Sequence, residues 1–272
     1  MEQHSIPYGS SNIGYTLYGR GRRLLLCMHG YGESAASFAF LEATLGAEFT
    51  LLAIDMPFHG RTEWKEGFFL DPAVFVSLIG EIVARLPGLE GGWWLLGYSM
   101  GGRMALQLLE MIPDRVERLV LVAPDGLKMN RWYWLATQTG PGNRLFRWTM
   151  RRPGWLFFVL RAGHFLRLVN PGIYKFAVYY IADEQVRQDL YIRWTTLRGF
   201  RPDIDVVREL IASRKIPVRL LYGKFDRIIR WETGERFRQE LPAGSCQLRI
   251  VASGHQLLQE KNLLALAATL KD

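Results

Sequence analysis

Short, almost wholly apolar runs alternate along the chain with longer segments whose apolar residues recur every three or four positions. The runs at 24–28, 49–54, 93–96, 119–123, 218–222 and 247–251 are nearly all apolar, which predicts buried parallel strands. Two earlier segments, 4–8 and 13–18, predict an antiparallel edge, bringing the total to eight strands. Alternation of strand and helix patterns is the mark of an α/β fold, here a mostly parallel eight-stranded sheet with helices on both faces. Asp71 and Pro72 supply an N-cap and a first helical residue for a helix running to about Arg85. A second helix is predicted from 99 to 111, stopping before Pro113, and a last one from 257 to 270. Between 126 and 211 the alternation breaks, leaving helical patterns without a strand. The expected organisation is therefore a core of 1–125 and 212–272 with a helical cap inserted at 126–211. No internal repeat is present.

Composition agrees with an ordered domain: 272 residues, 49% hydrophobic and 22% charged. Cys27 and Cys246 each sit in an apolar run and read as packing residues, too few for a disulfide framework. The start, Met1 to Pro7, lacks a basic, apolar leader, and no apolar run reaches the ~18 residues of a membrane span, so a cytoplasmic protein is expected. A net charge of +8 favours anionic partners without choosing among them.

A serine hydroxyl attacks only when a base takes its proton, so the chemistry requires serine, histidine and an orienting carboxylate. Ser99 lies in Gly97-Tyr98-Ser99-Met100-Gly101-Gly102, between a predicted strand and a predicted helix. Small residues two before and two after the serine suit the sharp turn that projects such a hydroxyl. A serine in that place can also simply cap the helix. Asp226 follows the strand at 218–222, and His255 follows the strand at 247–251, so both enter loops at the same sheet edge. Either can instead be a plain loop residue, and Asp125, after the strand at 119–123, is a rival carboxylate. The oxyanion of such chemistry needs two backbone N–H donors. Position assigns one to Met100, and the glycine-flexed turn His29-Gly30-Tyr31-Gly32 offers Tyr31 as the other.

These landmarks, with Asp55-Met56-Pro57-Phe58-His59-Gly60, resemble those of the α/β-hydrolase superfamily across nearly the whole chain. The resemblance implies a triad of Ser99, Asp226 and His255, a structural turn at 55–60 in which His59 has no catalytic part, and an inserted lid. A serine where haloalkane dehalogenases and epoxide hydrolases carry aspartate argues against both chemistries. The expected activity is carboxylic-ester hydrolysis through an acyl-serine, esterase- or lipase-like. Two alternatives stand beside it. Gly97 to Arg103 is also similar to the elbow of the pyruvate-eliminating synthase of menaquinone biosynthesis, which implies a lyase acting on an anionic substrate. Some relatives, moreover, bind ligands without catalysis.

The cap changes the partner question. Between 126 and 182 stand Lys128, Arg131, Arg144, Arg147, Arg151, Arg152, Arg161, Arg167 and Lys175, with no Asp or Glu, among aromatics that include Trp132, Trp134, Trp148, Trp155, Phe158, Phe165, Phe176 and Tyr180. Three readings follow: a lid with solvated arginines, peripheral contact with a membrane surface, or capture of an acidic substrate. The expected partner is a small-molecule ester or acyl compound, anionic or lipid-like. No nucleic-acid module, metal-ligand spacing or nucleotide-binding glycine pattern is present, so no nucleic-acid partner, metal or cofactor is expected. Substrate-binding residues and oligomeric state are not legible.

Overall fold

In a computed structural model, which describes residues 1–166, 174, 178–179 and 181–271, the apolar runs pair into one eight-stranded sheet of order β1-β2-β4-β3-β5-β6-β7-β8. The strands are β1 (Glu2–Tyr8), β2 (Ser11–Tyr18), β3 (Arg23–Met28), β4 (Phe49–Ile54), β5 (Trp93–Tyr98), β6 (Val116–Val122), β7 (Val218–Gly223) and β8 (Cys246–Val251). β1 and β2 pair antiparallel, as expected of the early segments, and β2 joins β4 antiparallel. All later pairings are parallel. Central β5 and β7 are buried at every position, whereas the edge strands β1 and β8 bury one residue each, Ile6 and Cys246. The apolar runs of β3 to β7 are thus the strands covered on both faces, whereas the run at 247–251, expected to be covered likewise, forms the sheet's edge and buries only Cys246 of its strand.

Helix α1 (Pro72–Ala84) begins where Asp71 Oδ1 accepts the Ala73 amide at 2.8 Å. Helix α2 (Met100–Met111) packs against β3, β5 and β6. The last helix starts later than the expected 257: Leu257 is buried, and its carbonyl accepts from the Gln259 amide and the Asn262 side chain in a turn.

Contacts divide the chain into two compact units, Met1–Glu66 with Asp71–Lys128 and Gly199–Asp272, and Gly67–Leu70 with Met129–Arg198. The second is narrower than the expected 126–211. Helix α7 (Ile204–Arg214) buries Val207 and Ile211 and packs on α2, and the Arg201 amide donates to Gln107 Oε1 at 2.8 Å, so this segment belongs with the sheet. Conversely, Leu70 donates to the Thr196 carbonyl at 2.9 Å, which ties 67–70 to the helices.

Among its described residues the second unit is helical: α3 (Arg131–Gln138), α4 (Gly140–Arg151), α5 (Gly154–Phe165) and α6 (Glu184–Thr196). Helix α4 packs against α3 and α6. Buried Arg187 of α6 binds three carbonyls, of Met150, Ile181 and Ala182, at 2.8–3.0 Å. Arg167, Lys175, Phe176 and Tyr180 of the basic and aromatic set lie outside the described residues.

Two glycines test this packing with opposite signs. A Cβ on Gly101 would stand 1.9 Å from the Met28 carbonyl oxygen, whereas one on Gly80, inside α1, meets nothing within 4 Å. Gly80→Ala is expected to stabilise by about 0.5–1 kcal/mol. Gly101→Ala is expected to destabilise by about 1–3 kcal/mol or more. Thermal melts followed by circular dichroism check both, and a Gly101→Ala protein melting with the wild type contradicts the packing described.

Candidate active site

Ser99 follows β5 with φ 50° and ψ −116°, a conformation that residues with a Cβ rarely adopt. Backbone partners hold it there. Its amide donates to the Val122 carbonyl at 2.9 Å, and its carbonyl accepts from the Gly102 and Asp125 amides at 2.9 and 2.8 Å. A Cβ on Gly97 would meet the Gly101 carbonyl oxygen at 2.5 Å, so strand and helix close on each other only through glycine. The Ser99 hydroxyl does not cap α2. It lies 3.0 Å from His255 Nε2 instead, which removes the reading of this residue as a cap alone.

His255 Nδ1 lies 2.7 Å from Asp226 Oδ2, and Asp226 Oδ1 accepts the amides of Ile228 and Ile229 at 2.8 and 2.9 Å. Burial pushes the Asp226 carboxyl up, but the His255 hydrogen bond and the two amides outweigh it and hold it below the ordinary value. An ionised carboxylate only accepts, so Nδ1 donates, Nε2 accepts, and the serine hydroxyl points its proton at Nε2. Asp125, the rival carboxylate, is placed otherwise: its Oδ2 faces Arg103 Nε at 3.7 Å.

The turn after β3 runs against this elbow. A Cβ on Gly30 would come within 3.4 Å of Ser99 Cβ. His29 is fully buried; its Nε2 accepts the Met56 amide at 3.1 Å, so its Nδ1 carries the proton and donates to the Gly30 carbonyl at 2.7 Å. That carbonyl and the Tyr31 N–H belong to one peptide plane and point oppositely, so His29 sets the direction of the Tyr31 amide. Met100 is the first residue of α2, where a helix leaves amides without intrahelical acceptors. The segment 55–60 is a structural turn: Asp55 accepts the Ala35 and Arg61 amides at 2.7 and 3.0 Å, and His59 Nδ1 donates to the Pro57 carbonyl at 2.9 Å.

Two residues escaped the sequence reading. Tyr98, in the variable place before the serine, donates its hydroxyl to the His255 carbonyl at 2.9 Å, and its ring lies 5.5 Å from the imidazole. Burial, then the charges of Glu33 and Asp226, push its phenol up. Glu33 follows the glycine turn, where a carboxylate would ordinarily face water. Its Oε2 is instead buried without a hydrogen-bond partner. Burial pushes the carboxyl up, against the pull of the Ser37 hydroxyl, the Gly30 amide and His255.

The chain is similar to known proteins over most of its length. Residues 19–262 match the family described as serine aminopeptidase, S33. The chain is 31% identical to a pimeloyl-[acyl-carrier protein] methyl ester esterase of Salmonella newport over 234 residues, covering 80% of this chain and 82% of the relative. It is 26% identical to the uncharacterized hydrolase YugF of Bacillus subtilis over 256 residues, 92% of this chain and 90% of that protein. Among solved structures, a thermophilic esterase from Thermogutta terrifontis superposes with a TM-score of 0.67 at 19% identity, covering 100% of this chain and 97% of its own. The thioesterase domain of a curacin biosynthetic pathway does so with 0.65 at 18%, covering 100% and 99%.

The Glu33 environment carries a sign. A carboxyl whose folded-state value is raised contributes stability that is complete below its ordinary value and is lost as pH rises through the raised one. Glutamine has no such loss. Glu33→Gln is expected to melt with the wild type near pH 4 and at a higher temperature near pH 8; a gap that closes as pH rises contradicts the burial of this group.

Proposed function

The chain belongs to the family described as serine aminopeptidase, S33, within the α/β-hydrolase superfamily, and is a hydrolase of that type; we propose that it cleaves carboxylic esters through an acyl-serine intermediate. The observation that carries this reading is the continuous hydrogen-bonded line from the Ser99 hydroxyl through His255 to the buried Asp226. The ester as substrate class is supported by the relative named as a methyl ester esterase.

In the proposed reaction Ser99 Oγ attacks the ester carbonyl carbon as its proton passes to His255 Nε2. Asp226 keeps Nδ1 protonated and stabilises the imidazolium that forms. Negative charge gathers on the former carbonyl oxygen, where the Tyr31 and Met100 amides donate to it; such a donor contributes about 2.7–4 kcal/mol. Collapse of the tetrahedral species expels the alcohol oxygen, which takes the proton from Nε2. A water then repeats the sequence on the acyl-serine, giving its proton to Nε2 and releasing the acid as Oγ recovers one. The amides that hold the charge belong to backbone already fixed, so little reorganisation accompanies the step.

Two variants test the proposal. Ser99→Ala is expected to abolish turnover of p-nitrophenyl esters and labelling by a fluorophosphonate, and equal rates in variant and wild type would sink the acyl-serine mechanism. Asp226→Asn is expected to lower kcat by roughly 10³–10⁴ with little change in KM, because the imidazole loses the partner that fixes its tautomer. Ester turnover at background together with pyruvate release from the menaquinone-pathway substrate would replace the hydrolase by the lyase.

A further inference from the structure

Helix α5, Gly154-Trp155-Leu156-Phe157-Phe158-Val159-Leu160-Arg161-Ala162-Gly163-His164-Phe165, is among the most apolar stretches of the chain, yet none of its residues is buried. A helix of this kind ordinarily turns its apolar stripe inward. Here the stripe faces out. Trp155, Phe158, Val159 and Phe165, with Leu166 just beyond, fall at spacings of three, four and seven, which places them on one side of the helix. These are the exposed positions, Phe158 at 74% and Phe165 at 85%, while Leu156, Phe157 and Leu160 on the other side are partly covered.

The neighbouring surface is cationic. Arg144, Arg147 and Arg151 of α4, then Arg152 and Arg161, are all exposed, and the sequence from 126 to 182 holds no acidic residue. Trp148 of α4 stacks on Trp155 of α5 at 5.9 Å between ring centroids and 20° between planes, which joins the basic helix to the apolar one. No helix among the described residues is long and apolar enough to cross a membrane.

We propose that this face of the helical unit docks on the surface of an anionic lipid bilayer, with Phe158 and Phe165 entering the acyl region and the arginines meeting lipid phosphates. Three features single out a bilayer. An apolar stripe exposed along a whole helix needs an apolar medium; flanking arginines need phosphate or carboxylate; Trp148 and Trp155 suit the boundary between the two. A second copy of this chain would bring the arginines of two such faces together, and like charges oppose that contact.

The test uses the full chain with phosphatidylcholine vesicles, prepared with and without phosphatidylglycerol, in a sedimentation assay. The protein is expected to sediment with the phosphatidylglycerol vesicles, with its tryptophan emission moving to shorter wavelength, and to stay in solution with phosphatidylcholine alone. Phe158→Asp with Phe165→Asp, and separately Arg151→Glu with Arg152→Glu, are each expected to weaken partitioning by about tenfold or more. The arginine pair serves as the second arm should the phenylalanine variant fail to fold, which its melting curve reports. Failure to bind either vesicle, or unaltered binding by both variants, overturns the proposal. A concentration-dependent dimer dispersed by the phenylalanine variant reassigns the face to self-association, and binding to soluble polyglutamate as tight as to vesicles reassigns it to an acidic protein. Binding is read without turnover, so Ser99→Ala must bind as the wild type does whatever bond the hydrolase cleaves.

Discussion

Ser99 holds a backbone conformation that costs about 1–3 kcal/mol for a residue with a Cβ, and it does so because its amide and carbonyl are both engaged by neighbouring backbone. The partners come from the end of β6, the start of α2 and the segment carrying Asp125. Packing adds a second demand, since glycine is required where α2 passes the Met28 carbonyl. The local strain is therefore imposed by the sheet and the helix together. Neither alone would put the hydroxyl beside His255.

The histidine and the acid follow the same logic at lower cost. Loops after β7 and β8 leave the carboxyl edge of a parallel sheet, where open α/β folds gather their functional groups. Asp226 is fixed by two amides of its own loop, so its carboxylate is oriented before it meets the imidazole. His255 is fixed twice, by Asp226 through the ring and by Tyr98 through the backbone.

Much of this was legible in the sequence, for a physical reason. Strands covered on both faces must be apolar throughout, so β3 to β7 announce themselves, and an elbow that needs small residues shows as glycine at fixed offsets. The expected alignment of Ser99, Asp226 and His255 rested on those landmarks, and the structure brings the three side chains together. What stayed hidden depends on burial rather than on pattern. Glu33 reads as an ordinary loop acid yet buries one carboxyl oxygen; Tyr98 reads as a variable residue and holds the His255 backbone. The boundary near 199 was hidden too, because α7 carries the same helical pattern as the residues before it and only its packing on α2 assigns it to the core.

The Asp55 carboxylate joins two loops that are distant in sequence, accepting from Ala35 on one side and Arg61 on the other, while the Met56 amide next to it meets His29. The turn that orients the Tyr31 amide is thus braced from the loop after β4. A change of length anywhere between 55 and 62 would be transmitted to the turn at 29–35. Lengthening beyond Glu66, where the chain passes into the helical unit, involves none of these bonds. Diversification of such a scaffold is accordingly channelled: the braced segment admits substitutions and resists insertions.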